Sequence, residues 1–330
     1  MIMRIRIFCL CLVLSIWAFP SFSQDYNRWD FEVDGIRYRV LSENTCTIVS
    51  LTSRPPLTLT LPSTVTTPKG KTYYITEIYS LTRYLSQEDR HAFRKITSVH
   101  LPERLRSLDG LTFEDCSQLR YIQLPSTLRF IGGSTFAGCS LRTVKLPEGI
   151  QRIDTRAFAG CPLTEIEIPG SCTFLGDRVF ESCWELQTIR LKRSSTTLSL
   201  GNRFLLNSAS HVIIERPVDA GRYPLCFIGH RTIRFDNVEN VEFVIGTPDV
   251  GENDLKFYFG ENTKSINIGG HHPAEFHLSS PNPPVTNGFP DSFYLNTDLT
   301  VPKGSISAYK KAPYWKKFFS IEEGSNSSSK

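Results

Sequence analysis

Nine cysteines are present in the 330 residues, and four of them recur at an interval of 22–23 residues. These four are Cys116, Cys139, Cys161 and Cys183. Structural zinc sites use cysteine pairs a few residues apart, which this interval does not match. Equivalent cysteines in stacked repeats have parallel Cβ vectors at ~4.8 Å, whereas a disulfide needs converging Cβ atoms ~3.8 Å apart. We therefore predict four buried thiols. The other candidates for pairing are Cys46, Cys172 and Cys226, and the sequence leaves their state open.

A second group of possible metal ligands consists of His271, His272, Glu275 and His277. These residues surround Pro273, which favours a turn over the regular spacing of a zinc-binding helix. We interpret the segment as a solvated turn. The sequence predicts no metal site and no cofactor.

Glu165 and Glu167 form the one neat carboxylate pair, and in a strand they would point the same way. A glycosidase needs two carboxyl groups ~5–9 Å apart across a cleft, whereas this pair would lie on an open strand surface. No nucleophile elbow and no convincing catalytic trio is present. The sequence therefore predicts a protein without catalytic residues.

The elements that position these residues are repeats. Four segments of similar sequence begin at Leu101, Leu124, Leu146 and Ile168, and a further apolar start follows at Leu191. A phenylalanine precedes each recurring cysteine by three residues, at Phe113, Phe136, Phe158 and Phe180. A period of 22–23 residues is typical of leucine-rich repeats and predicts a solenoid.

Each repeat contains a short alternating stretch, such as Leu119 to Leu124. Period two turns Ile122 and Leu124 inward and leaves Tyr121 and Gln123 outside, and the apolar Leu119 before them is expected to face the core as well. The proline that follows, Pro125 here, ends the strand because it cannot donate to the ladder. We therefore expect short strands stacked in a ladder, with irregular, 3-10 or short helical backs.

The pattern LPxxLxxIGxxxFxxCxLxxIx closely resembles the BspA-type leucine-rich repeats of bacterial surface proteins. The resemblance implies a leucine-rich-repeat solenoid with an N-terminal β-hairpin cap and a C-terminal cap. Together with the composition of the two chain ends, it divides the chain into six predicted segments. They are a signal peptide (1–23), an N-terminal β cap (24–60), repeats of which the first has an insertion around 79–91 (61–191), degenerate repeats (192–280), a C-terminal cap (281–323) and a flexible tail (324–330).

Residues 1–23 have two arginines, a short apolar run and small residues before the expected cleavage point, which is typical of a secretory signal. The run is shorter than the ~20 residues of a membrane span, and no later segment is apolar enough for one. A net charge of +4 is small for this length and argues against a nucleic-acid binder. We expect an exported protein, on the cell surface or secreted.

The remaining candidate site is the outward face of the strand ladder. Its predicted residues are Ser98, His100, Tyr121, Gln123, Thr143, Lys145, Glu165, Glu167, Thr188 and Arg190. Repeat proteins hold partners on such faces through many weak contacts. By resemblance, the expected function is adhesion to a host, matrix or microbial protein. The alternatives are an envelope carbohydrate-binding protein and a structural subunit of a surface assembly.

Overall fold

The computed structural model describes residues 28–203, 211–220, 231–236, 238–245, 255–270 and 273–324. The chain passes alternately through two sets of strands that enclose one continuous apolar core. We call the set that contains Ser98–His100 the front ladder and the other set the back sheet. The predicted signal peptide lies outside the described residues.

The N-terminal part is a β cap that leads into the first turn of the solenoid. Its elements are β1 (Phe31–Val33), β2 (Ile36–Val40), β3 (Thr45–Leu51), β4 (Thr58–Thr60), β5 (Thr64–Thr66), β6 (Thr72–Ile78) and α1 (Gln87–Phe93). β1 and β2 form an antiparallel hairpin, as predicted, with Asp34 and Gly35 both at positive φ in its two-residue turn. β3 pairs antiparallel with β2 and parallel with β6, so it joins the cap to the parallel solenoid.

The regular repeats contribute strands of two to four residues. They are β7 (Ser98–His100), β8 (Ser107–Leu108), β9 (Tyr121–Ile122), β10 (Phe130–Ile131), β11 (Arg152–Ile153), β12 (Glu165–Ile168), β13 (Phe174–Leu175), β14 (Thr188–Leu191) and β15 (Leu198–Leu200). The segments between them are turns, and the turn that follows each of β8, β10, β11 and β13 contains two residues at positive φ, such as Arg156 and Gly160 after β11. The predicted solenoid with short strands and irregular backs is confirmed.

The recurring phenylalanines form one buried column through the repeats. Its members are Phe93, Phe113, Phe136, Phe158 and Phe180. Successive rings stack with centroids 6.2, 5.7, 5.4 and 5.9 Å apart. Each turn therefore completes the hydrophobic environment of the next, which explains why such units occur in arrays.

The remaining elements continue the same winding. They are β16 (His211–Ile214), β17 (Val218–Ala220), β18 (Arg231–Phe235), β19 (Asn240–Ile245), β20 (Leu255–Phe259), β21 (Ser265–Gly270), β22 (Glu275–Leu278), α2 (Asp291–Asn296), β23 (Asp298–Val301), α3 (Ile306–Lys311), a 3-10 helix (Trp315–Lys317) and β24 (Ser320–Glu323). We expected irregular turns over 192–280, but front strands here are four or five residues long and pair in parallel without a break. Val, Ile and Phe fill these strands, and no proline follows them directly, so the ladder extends further.

The C-terminal cap closes the core with aromatic side chains. Tyr309, Trp315 and Phe318 are buried, and the lysines of the same segment are exposed. The Tyr309 hydroxyl donates to the Ser280 carbonyl at 2.8 Å, and the Trp315 Nε1 donates to the Pro284 carbonyl at 2.7 Å. The segment is therefore an apolar lid with a polar outer surface, as a C-terminal cap of a solenoid requires. The boundaries between the predicted segments stay predictions.

Candidate functional site: the front ladder

The predicted face lies on the outer side of the front ladder. Ser98 and His100 belong to β7, Tyr121 to β9, Glu165 and Glu167 to β12, and Thr188 and Arg190 to β14. The side chain between each pair points inward and is buried: Val99, Ile122, Ile166 and Ile189. Alternation therefore places the predicted residues outside, where each is exposed or half-exposed.

The face is not one uninterrupted sheet. β4, β7 and β9 form a three-stranded sheet, and an eight-stranded sheet begins at β12. Thr143 and Lys145 lie between them in a segment that forms no strand, although both are exposed and Val144 between them is buried. We predicted a continuous ladder here; the structure keeps the alternation of side chains but interrupts the strand pairing.

Cross-strand ion pairs organise the charges at the start of the eight-stranded sheet. Arg190 lies 3.7 Å from a Glu167 oxygen through its Nε and 2.8 Å from a Glu215 oxygen through its Nη1. These partners come from three successive turns, so one guanidinium ties them together. Exposed pairs of this kind contribute about 0–1 kcal/mol each to stability, so their main effect is to orient side chains on the face.

Two outer rows run along the eight-stranded sheet and extend well beyond the predicted residues. The first outer row contains Glu165, Thr188, His211, Thr232, Lys256, Glu275, Asp298 and Ser320. The second outer row contains Glu167, Arg190, Ile213, Arg234, Tyr258, His277, Thr300 and Glu322. We predicted a face that ends at Arg190. Alternation in the strand-like runs after residue 211 was the signal that could have extended it.

We call the part of the two outer rows that lies after Arg190, from His211 to Glu322, the extension. Aromatic and charged side chains cluster there. The rings of Tyr258 and His277 stack with centroids 4.3 Å apart and planes 8° apart, and the Arg234 guanidinium lies 5.6 Å from the Tyr258 ring. Glu275 is 2.6 Å from the His277 Nε2 and 2.5 Å from the Lys256 Nζ. Partial burial raises the pKa of Glu275, but hydrogen bonds from Lys256 and His277 outweigh it, so the pKa lies below its ordinary value.

The repeats also match a known family. Residues 87–212 fit the family described as the BspA type leucine rich repeat region, in six copies. This segment consists of BspA-type leucine-rich repeats. The resemblance inferred from the spacing of Leu, Phe and Cys is thereby confirmed.

Several solved structures of leucine-rich-repeat proteins are similar to this chain. One is a leucine-rich repeat protein from Bacteroides ovatus, at 24% identity and a TM-score of 0.49 over 89% of this chain and 67% of that one. Another is the T. pallidum leucine rich repeat protein, at 22% identity and 0.42 over 56% and 85%. A third is a leucine rich cell surface protein from Faecalibacterium prausnitzii, at 15% and 0.35 over 90% and 95%. A comparison with curated proteins gave no match. Likenesses of this size carry no argument about function.

The cysteines of the BspA-type repeats are buried thiols, as predicted. The Sγ atoms of Cys139, Cys161 and Cys183 donate to the carbonyl of the column phenylalanine one turn earlier, at 3.2, 3.0 and 3.1 Å. Burial raises the pKa of Cys116 and of Cys183 to about 12, because the thiolate would lose its hydration. These cysteines therefore serve packing and hydrogen bonding.

The structure describes only some of the other candidate cysteines and metal ligands. Cys46 and Cys172 are buried free thiols, whereas Cys226 lies outside the described residues. His271 and His272 also lie outside them. Glu275 and His277 are on strand β22, which corrects our interpretation of that stretch as a solvated turn.

In the described ranges, no three His, Cys, Asp or Glu side chains are arranged to hold a metal ion. No helix within those ranges has the length and hydropathy of a membrane span.

Proposed function

We propose that this chain is an exported, cell-surface or secreted protein that binds a protein partner on its front ladder without catalysis. The observation that carries the proposal is the pair of outer rows, which stay in register over all eight strands from β12 to β24. Eight strands at ~4.8 Å spacing give a face about 34 Å long. The expected partner is a host, matrix or microbial protein.

The shape and chemistry of this face favour a macromolecule as the ligand. Small-molecule sites are concave and enclose most of their ligand, whereas the outer rows form a strand surface with side chains of mixed charge. A protein interface covers about 800 Å² on each partner, so a protein ligand would contact most of the strands of this face together with the turns beside them. The N-terminal segment 1–23 and the BspA-type repeats support the proposed location outside the cytoplasm.

Binding of the purified chain to a panel of matrix proteins and glycans tests the proposal. Glu165→Lys reverses a charge on the exposed face, and Glu103→Lys makes the same change in the turn after β7 as its matched control. Saturable binding to a protein that Glu165→Lys weakens and Glu103→Lys retains would support the front ladder as the site. Binding that both variants retain, but Tyr258→Ala loses, would move the contact to the extension. No saturable binding to any protein on the panel would contradict the proposal.

A carbohydrate ligand is the second candidate. The stacked pair of Tyr258 and His277 beside Arg234 favours it, because aromatic groups concentrated on one face suit sugar rings. Binding to a glycan and to no protein would establish this function in place of protein binding. The same sugar should raise the Tm of the wild-type chain, and Tyr258→Ala should abolish that stabilisation.

A further inference from the structure

The front ladder ends in an edge strand on both sides. β4 pairs with β7 alone, and β24 pairs with β23 alone, among the strands of the described ranges. Both belong to the same parallel series of turns, so they run in the same direction. An edge strand presents backbone N–H and C=O groups that can pair with another chain.

The two edges differ in how completely the core beneath them is covered. Every turn places one apolar side chain inward from the middle of its front strand, starting with Leu59 on β4 and ending with Ile321 on β24. All described members of this row are buried except Ile321, which is half-exposed. A further strand beside β24 would complete the burial of Ile321.

Exposed apolar side chains flank both edges at the same register position. Leu57 immediately precedes β4 and is 58% exposed, and Phe319 immediately precedes β24 and is 85% exposed. The strand pairings and the 22-residue repeat spacing make Leu57 equivalent to Phe319.

Between the two ends, the described side chains at this position are polar, small or buried. They are Thr97, Arg120, Arg142, Thr164, Gln187, Leu255, Ala274 and Thr297, and the leucine is the buried one. A large, exposed apolar residue therefore occupies this position only at the two open edges of the described ladder.

We propose that a second copy of this chain pairs its β4 with β24 of the first, so that the front ladder continues head to tail. In this register Ser320 lies opposite Thr58, Ile321 opposite Leu59 and Phe319 beside Leu57. Cross-strand apolar pairs stabilise a sheet, and no like charges face each other, because Glu322 lies opposite Thr60. The two contact surfaces are different, so the contact is heterologous. Such contacts form a ring when the rotation between successive copies closes and an open filament when it does not. This inference is independent of the ligand that the face binds.

Sedimentation of the purified chain over a range of concentrations tests the proposal. We expect the average mass to rise past that of a dimer as concentration increases. Phe319→Glu blocks the β24 end and Leu57→Glu blocks the β4 end, and each alone should weaken association ~10-fold or more. Trp184→Glu is the matched control, because Trp184 is exposed but lies between the ends.

Mixing the two blocked variants gives the decisive result. The Leu57→Glu chain keeps an intact β24 end and the Phe319→Glu chain an intact β4 end, so an equimolar mixture should form a 1:1 dimer and nothing larger. A wild-type chain that stays monomeric at all concentrations would overturn the proposal. So would association that both variants retain, or a mixture that behaves like its separate components. Monomeric, folded wild-type chain that still binds a matrix protein would refute the assembly alone and leave the proposed function intact.

Discussion

The phenylalanine column makes a direct prediction about stability. Phe136 is fully buried, and its ring stacks on Phe113 at 5.7 Å and on Phe158 at 5.4 Å. Replacing a buried phenylalanine by alanine costs about 3–5 kcal/mol, and each stacked pair adds about 0.5–1.5 kcal/mol beyond buried area. Because Phe136→Ala removes two such pairs in a closely packed turn, we expect a loss of about 4–5 kcal/mol.

The assay is urea unfolding followed by circular dichroism, with thermal melting as a second readout. For a chain of 330 residues, a loss of this size should lower the Tm by roughly 6–8 °C. Phe319→Ala makes the same chemical change at an exposed position and, at concentrations where the chain is monomeric, should alter the free energy of unfolding by less than about 0.5 kcal/mol. Phe93→Ala, at the end of the column with one stacked ring at 6.2 Å, should cost less than Phe136→Ala.

The reasoning would be refuted if Phe136→Ala lost less than about 2 kcal/mol, since that is below the cost of cavity formation at a buried aromatic site. It would also fail if Phe136→Ala and Phe319→Ala melted together. Equal losses at Phe93 and Phe136 would keep the burial argument but remove the contribution of ring stacking.

Three further predictions concern single residues of the repeats. Ser182 has φ 57° where the equivalent Gly160 has φ 71°, a backbone conformation that glycine adopts with less strain than serine. Ser182→Gly should therefore raise the free energy of unfolding by about 0.5–1 kcal/mol in urea titration, and a decrease would contradict the strain argument. Burial raises the pKa of Asp109 above its ordinary 3.8, so the folded state binds this proton more tightly, and stability falls as pH rises through the folded-state pKa. Asp109→Asn should therefore stabilise the protein at pH 7 and lose that advantage below pH 3.8. Urea unfolding at both pH values checks this, and a variant that is less stable than the wild type at pH 7 would contradict it. Cys161 should resist iodoacetamide in the folded protein and react in urea, as site-resolved mass spectrometry can show; equal labelling in both states would disprove its burial.

The fold of the repeats was predictable because the same burial requirement recurs in every turn. Phe113 and Cys116, with their later equivalents, mark a fixed place behind the ladder, and Ile122 and its equivalents mark the strand. These positions face the core in any stack of such turns, so their spacing alone identifies them. The hairpin at Asp34 and Gly35 was predictable for a local reason, because its turn requires positive φ at both residues.

The extension beyond Arg190 was missed, despite its alternating strand-like runs, because its aromatic packing has a different origin. The repeats place their phenylalanines in the turns behind the ladder, whereas Phe235, Phe257 and Phe259 lie on front strands and stack with centroids 5.3 to 6.2 Å apart. The loss of the Phe-x-x-Cys pattern therefore hid turns that are still regular.

Register is the second reason why part of the site escaped prediction. From Thr188 to Ser320, successive members of the first outer row are separated by 19 to 24 residues. A shift of one residue exchanges the inner and outer faces of a strand, so intervals of unequal length cannot be aligned from composition. The stacked pair of Tyr258 and His277 depends on this register and becomes visible only with the strands in place.

Position and residue type carry different information in this solenoid. The inward positions Ile122, Val144, Ile166 and Ile189 are all β-branched, because each must fill the same space in the core. Their outward neighbours Tyr121, Glu165 and Thr188 face solvent and are free to differ. Under the proposed function, binding specificity could therefore change at these outward positions at little cost to the fold. Exchanging Tyr121 with the equivalent Glu165 should consequently preserve the Tm to within about 2 °C while changing which partner is bound. A large loss of Tm in that exchange would show that these outward positions also support the fold.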